Sequence, residues 1–155
     1  MRLTLRIVAA PTAEQVGALG PAIEAGARAG LAAGAERLAE AARAMVGQEQ
    51  HGEAVTWAPL AAKTVETKRE RGQVGRVSAT DPLLATGAMR ASIRATAEGD
   101  RATVGGNGVL ARHEQGTRHM PARPVLAPAA VQHGEAVAQA VADGIADAIR
   151  AALGR

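Results

Sequence analysis

Two histidines and one glutamate lie near each other in the last third of the chain. His113, Glu114 and His119 are residue types that bind zinc. A zinc-protease helix carries two histidines one turn apart, with a glutamate beside the first. Here the histidines are six residues apart and Gly116 lies between them. We therefore expect a polar turn in which nearby donors hold Glu114, with no metal site and no cofactor.

Other residue types that serve in catalysis lack the sequence context that catalysis needs. Gly105–Gly108 (GGNG) is glycine-rich, but the Lys-Ser/Thr pair of a phosphate-binding loop does not follow it. We predict a tight turn there that does not open a helix. Ser78 and Ser92 have no nucleophile-elbow motif around them, and the aspartates show no spacing typical of paired acid–base groups. The sequence therefore predicts no enzymatic activity.

Residues 63–76 form the most basic stretch of the chain. Such a stretch can contact an acidic partner surface or DNA, but no aromatic residues interleave for base stacking, and no helix-turn-helix or zinc-finger pattern surrounds it. We predict a mobile basic loop at about 63–80, with Gly72–Thr80 ordered only on assembly. A solvated loop without a binding role is the alternative. Its basic residues are Lys63, Lys68, Arg69, Arg71 and Arg76.

Composition narrows the classes of protein that remain. The net charge is only +3, from 18 basic and 15 acidic residues, whereas a dedicated DNA binder shows a larger, clustered excess. The chain has no cysteine, which suits assembly in a reducing cytosol. Arg2 and Arg6 interrupt the apolar residues of Met1–Ala10, which argues against a signal peptide, and no apolar run reaches the roughly 20 residues of a membrane span.

Hydrophobic periodicity predicts the elements of the N-terminal half. Residues 2–7 alternate between polar and apolar side chains, as a half-buried strand does. A long helix follows over Pro21–Val46, with Pro21 in its first turn. Gly26, Gly30 and Gly34 share one side of this helix, where another backbone could approach closely. Trp57–Arg71 contains a short helix with Thr64, Lys68 and Arg71 turned outward.

The C-terminal half predicts a hairpin followed by a helix. Thr86 can cap a short helical turn through Met89 and Arg90. Strands over Ser92–Ala97 and Arg101–Gly105 are joined at Glu98-Gly99-Asp100, a hairpin signal. An extended segment from Pro121 to Pro128 leads into a helix over about Ala127–Leu153. We expect a single α+β domain spanning residues 1–155.

Several short runs, in order, resemble one family over about residues 57–130. The chain is similar here to the virion-morphogenesis and tail-completion proteins of tailed bacteriophages, including those of Mu-like phages. Two positions depart from the family's pattern, since Arg112 and Val125 stand where aromatic residues are common. The runs are WAPL at Trp57–Leu60, Thr64 with Lys68, PLLATGAMRASI at Pro82–Ile93, HEQGT at His113–Thr117 and MPARP at Met120–Pro124.

The resemblance implies a small antiparallel sheet flanked by a long N-terminal helix and a C-terminal helix. It implies a homo-oligomeric ring, usually of six copies, at the head-proximal end of the tail, in contact with the tail tube and head–tail connector proteins. It implies no catalysis and a location in the virion after assembly in the host cytoplasm. It places the motif and interface positions at Trp57, Leu60, Thr86, Gly87, Arg90, Ser92, Ile93, Glu114, Gly116, Thr117, Pro121, Arg123 and Pro124.

The residues themselves leave other functions open beside the one that the resemblance implies. Roughly a quarter of the residues are alanine. Alanine-rich helices gain stability mainly by packing closely against other helices, which favours an oligomer. GC-rich codon usage is the alternative explanation of the same composition. Arg123, between rigid prolines, is placed for a bidentate pair with a carboxylate such as Glu114, within or between subunits. Tail terminator, head–tail joiner and capsid morphogenesis protein remain open roles. The rival class is a small nucleic-acid-associated packaging or capsid-assembly accessory protein that contacts passing double-stranded DNA.

Overall fold

The computed structural model describes residues 12–50, 55–71 and 78–154. The strand expected over residues 2–7 lies outside these ranges. The α+β class is confirmed, with a two-stranded antiparallel sheet and a long helix at each end of the described chain. The elements, in order, are α1 (Ala13–Met45), α2 (Ala62–Glu70), α3 (Ala88–Ser92), β1 (Arg94–Glu98), β2 (Arg101–Gly105), α4 (Gly108–Gln115) and α5 (Leu126–Ala152).

Helix α1 begins eight residues before the predicted start. Thr12 and Gln15 form a capping box, in which the Thr12 side chain accepts from the Gln15 backbone N–H and Gln15 bonds back to the Thr12 backbone. This pair satisfies the first free N–H groups of a helix. Pro21 therefore lies inside α1 rather than in its first turn, and the prediction for that residue was wrong.

Helices α1 and α5 pack antiparallel along a row of glycines. Gly26, Gly30 and Gly34 are buried, and a Cβ atom at Gly30 would overlap the carbonyl oxygen of Ala140. A Cβ at Gly34 would lie 2.9 Å from Val137 Cγ1. The prediction of a close backbone approach at this glycine row is confirmed, and α5 of the same chain is the partner.

The hydrophobic core lies where the C-terminal end of α1 meets the N-terminal end of α5. Buried residues from α1, α3, α4 and α5 surround the single tryptophan, which is 3% exposed. No helix within the described ranges combines the length and the apolar character that a bilayer crossing requires. The core residues are Ala39, Ala42, Met45, Val46, Trp57, Met89, Ile93, Leu110, Val125 and Ala129.

The β-hairpin is confirmed with a small shift of its first strand. Strand β1 pairs antiparallel with β2, in a register that places Arg94 opposite Gly105 and Glu98 opposite Arg101. The hairpin turn contains Gly99 at φ 60°, a conformation that glycine adopts without steric penalty. Ser92 belongs to α3 rather than to the strand, because the helical turn predicted after Thr86 extends two residues further than expected.

Of the two other short helices, one was expected and one was not. The short helix predicted within Trp57–Arg71 is confirmed as α2, which takes up the first part of the stretch expected to be a mobile loop. Residues 72–77 of that stretch lie outside the described ranges. The GGNG segment does open a helix, because Asn107 caps α4 by accepting from the Leu110 N–H at 3.2 Å. His113 and Glu114 consequently lie in the last turn of α4 rather than in a polar turn.

Candidate functional site

The motif runs converge on one hydrogen-bonded junction between the Trp57 segment and the start of α5. The Trp57 indole Nε1 donates to the Pro124 carbonyl at 3.2 Å. The Arg123 guanidinium, only 5% exposed, donates through Nη2 to the carbonyls of Ala58 at 2.9 Å and Pro59 at 3.1 Å. Residues far apart in sequence are thus tied together through backbone carbonyls, which ordinary sequence patterns do not reveal.

Glu114 caps the N-terminus of α5. Its carboxylate oxygen Oε1 accepts from the backbone N–H groups of Val125 at 2.6 Å and Leu126 at 2.7 Å. These donors are free in any helix start, and a negative charge is stabilised there by the helix dipole. The prediction that nearby donors hold Glu114 is confirmed. The predicted Glu114–Arg123 ion pair was wrong within the chain, because both side chains bond to backbone groups instead.

A tight reversal between α4 and the proline segment completes the junction. Gly116 adopts φ 69°, and a Cβ atom there would lie 2.7 Å from the backbone nitrogen of Ala122. Thr117 and Met120 form a two-way backbone bridge, at 2.8 and 3.1 Å. Only a glycine fits this combination of angle and space. Pro121, next along the chain, is exposed.

The run from Thr86 to Ile93 positions the hairpin against this junction. The Ser92 hydroxyl donates to the Met89 carbonyl at 2.7 Å and accepts from the Asn107 N–H at 3.2 Å, which links α3 to α4. Ile93 is fully buried. Thr86 and Gly87 precede α3, with the Thr86 hydroxyl 3.3 Å from the Ala88 N–H.

Arg90 and Leu60, also predicted as motif positions, are peripheral to the junction. The Arg90 side chain is exposed near the end of α3, and Leu60 is half-buried. Leu60 instead lines a cleft beside the junction.

The cations of the basic stretch, residues 63–76, include both exposed and buried side chains. Lys63, Arg69 and Arg71 are exposed on or next to α2, and Arg76 lies outside the described residues. Lys68 was predicted to point outward but is 8% exposed. Its ammonium donates to the carbonyl of Asp81 at 2.6 Å. Burial lowers the pKa of Lys68, an effect that the neighbouring Asp81 charge partly offsets.

A cleft of about 760 Å³ opens between α2, residues 81–89, α4 and residues 119–121. The buried cations Lys68 and Arg123 both reach its wall. So does Leu83, which has φ 61°, a left-handed conformation that is strained for a bulky side chain. No sequence pattern predicted this cleft, because no single run of the sequence contains more than one of its walls.

His113 also reaches the cleft and carries an unsatisfied atom. Its buried Nδ1 has no hydrogen-bond partner among the described residues, while its backbone carbonyl accepts from the Arg123 N–H at 2.7 Å. Burial, and next the charge of Arg123, lower the pKa of His113 below its usual 6.5. In the described parts of the chain, no three acidic or histidine side chains cluster as a metal site requires.

Comparison with known proteins adds no relative. The chain matches no protein-family model, no curated protein and no solved structure.

Proposed function

We propose that this protein is a structural component of a tailed-bacteriophage particle, a ring-forming tail completion protein at the neck or tail end. The proposal rests on the resemblance of five ordered sequence runs to that family. The observation that carries it is the junction, where Trp57, Arg123 and Glu114 from three of those runs bond to one another's segments.

The convergence fits a fold in which these runs act together. The Trp57 and Pro124 segments, 67 residues apart, are directly bonded. The charges of Glu114 and Arg123 act on backbone groups of neighbouring segments. That use of charge suits a scaffold whose task is to hold its shape within an assembly.

The junction also bears on the rival nucleic-acid function. The Lys68 ammonium is buried and bonds to carbonyls, so it is poorly placed for a phosphate. The basic stretch therefore offers fewer charges to DNA than the sequence suggested. The exposed cations Lys63, Arg69 and Arg71 lie on one short helix and its cap, a small footprint for DNA binding.

The glycine row, where the close approach of another backbone was predicted, is covered by α5 of the same chain. Contacts between ring subunits would therefore use other surfaces. One is the outer face of α5, where Val131 is 80% exposed.

Deletion of the gene from a phage that carries it tests the proposal. We expect DNA-filled heads and separate tails in electron micrographs. Tails of irregular or excessive length would assign the terminator role, and tails of normal length the joining role. Restoration by a plasmid copy is the control. Normal, joined and infectious particles from the deletion phage would overturn the proposal.

A further inference from the structure

The cleft beside the junction has an unusual balance of charge. Lys68 and Arg123 are 8% and 5% exposed, and neither forms an ion pair with a carboxylate of the described residues. Within the described residues, the Arg123 Nη1 atom makes no hydrogen bond. Among the described residues, Asp81 is the only acidic one that lines the cleft. A buried cation that is bonded only to carbonyls retains a strong field, because little solvent screens it.

Further cations stand at the mouth of the cleft. Lys63 lines it from α2, and Arg71 lines it from the residue that follows α2. Both side chains are exposed. Burial, and next the charge of Arg123, lower the pKa of His113, which also lines the cleft. An incoming carboxylate would therefore be attracted by Lys63 and Arg71 at the rim and by Arg123 further in.

Much of the remaining lining is apolar and adaptable, beside polar residues such as Thr64, Thr67 and Asn107. Leu83, Leu84, Met89, Val109 and Met120 line the cleft, and methionine side chains can repack around different partners. The strain at Leu83 is of the kind that proteins retain at binding sites.

Aromatic side chains do not serve this cleft. The chain has no Phe or Tyr, and Trp57 is buried in the core rather than in the lining. Base stacking, the usual basis of single-strand binding, is therefore absent from the cleft. The combination of cations with aliphatic side chains favours a peptide over a nucleic acid.

We propose that this cleft binds a short acidic peptide segment of another protein, with carboxylates near Lys63, Arg71 and Arg123 and an apolar side chain against Leu83 and Met120. The inference that the ligand is an acidic peptide rests on the cleft alone. That the segment belongs to a neighbouring virion protein rests on the proposed function.

Fluorescence anisotropy with a defined probe tests this proposal on the purified full chain. The probe is a fluorescein-labelled peptide, Gly-Glu-Leu-Glu-Met-Glu-Gly, and its partner probe carries Gln in place of each Glu. Lys63→Glu and Arg71→Glu change exposed cleft residues. Arg69→Glu is the matched control, because Arg69 is exposed on the same helix but does not line the cleft. Circular dichroism verifies that each variant is folded.

We expect the acidic probe to bind at least about tenfold more tightly than the Gln probe. Each cleft variant should weaken binding about tenfold, and Arg69→Glu less than about twofold. Raising the salt from about 50 to about 300 mM should weaken binding as well.

Three results would overturn the proposal. The acidic probe could fail to bind, the Gln probe could bind equally well, or Arg69→Glu could weaken binding as much as Arg71→Glu. Labelled oligo-dT that binds more tightly than the peptide and is lost in Arg71→Glu would identify a nucleic-acid groove instead. Because these measurements use isolated protein, their failure is distinct from a negative result in the deletion phage.

Discussion

Glu114 shows how one side chain can decide where a helix begins. Val125 and Leu126 donate their N–H groups to it, and α5 starts at that point without a side-chain cap of its own. Sequence reading anticipated that Glu114 would be held by donors. It could not name them, because the capped helix begins 12 residues further along the chain and capping patterns are local.

Replacing the charge of Glu114 should therefore weaken the fold. Glu114→Gln keeps an oxygen acceptor but loses the charge, and we expect the free energy of unfolding to fall by about 1–2 kcal/mol. Urea denaturation measures it. Glu98→Gln is the control, because Glu98 is exposed at the end of β1 and should change stability by less than about 0.5 kcal/mol. Equal losses in both variants would contradict the capping role.

His113 should make stability depend on pH. Its folded-state pKa is lowered by burial and by the Arg123 charge, so the unfolded chain binds the proton more readily. The stability contributed by neutral His113 is complete above about pH 6.5 and is lost as the pH falls from there through the lower folded pKa.

His113→Gln, which cannot titrate, should flatten the stability profile between about pH 7 and about pH 5. Urea denaturation at each pH gives the profile, and His133→Gln on the exposed face of α5 is the control. Parallel profiles for His113→Gln and the unmodified chain would show that another group titrates.

At the scale of elements, the close packing of α1 against α5 depends on glycines, which have no side chain to separate the two helices. Glycine destabilises a helix interior by about 1 kcal/mol relative to alanine, yet α1 contains it repeatedly. At Gly26, Gly30 and Gly34 this cost is offset by contact with α5, whose Gly144 lies against Gly26 and Gly30.

Two alanine substitutions on α1 should change stability in opposite directions. Gly30→Ala places a Cβ against the Ala140 carbonyl and should cost about 1–3 kcal/mol. At Gly17 nothing lies within 4 Å of the added Cβ, so Gly17→Ala should stabilise the helix by up to about 1 kcal/mol. Thermal unfolding followed by circular dichroism compares them. A shift of the same sign in both variants would contradict the packing argument.

The sequence predicted most elements but not their contacts. Periodicity identified α1, the hairpin and α5, since each repeats a pattern over many residues. It missed α4, because the cap at Asn107 is one residue within a glycine-rich run. It placed Lys68 outward because the charge of a lysine predicts exposure, whereas carbonyls from residues 78 and 81 satisfy its ammonium. Such tertiary partners leave no local signal.

At the scale of the whole molecule, the proposed ring predicts a defined number of copies of the chain in each assembly. Native mass spectrometry of the purified protein should give a multiple of the 15.7 kDa chain, with a hexamer expected, alone or after addition of a tail or neck protein. The ring should persist when salt is raised, if apolar contacts dominate between subunits. A monomer that stays inert with every virion partner would contradict the ring.

The pairing of α1 with α5 also imposes an order on the protein's synthesis. A ribosome must add every residue from Met45 to Leu126 before α5 begins to appear. At about 5–20 residues per second, a finished α1 waits several seconds with its glycine face open. A chain terminated early never acquires the helix that covers this face, and proteases act readily on such uncovered segments. Stable folding of α1 therefore depends on translation continuing through α5.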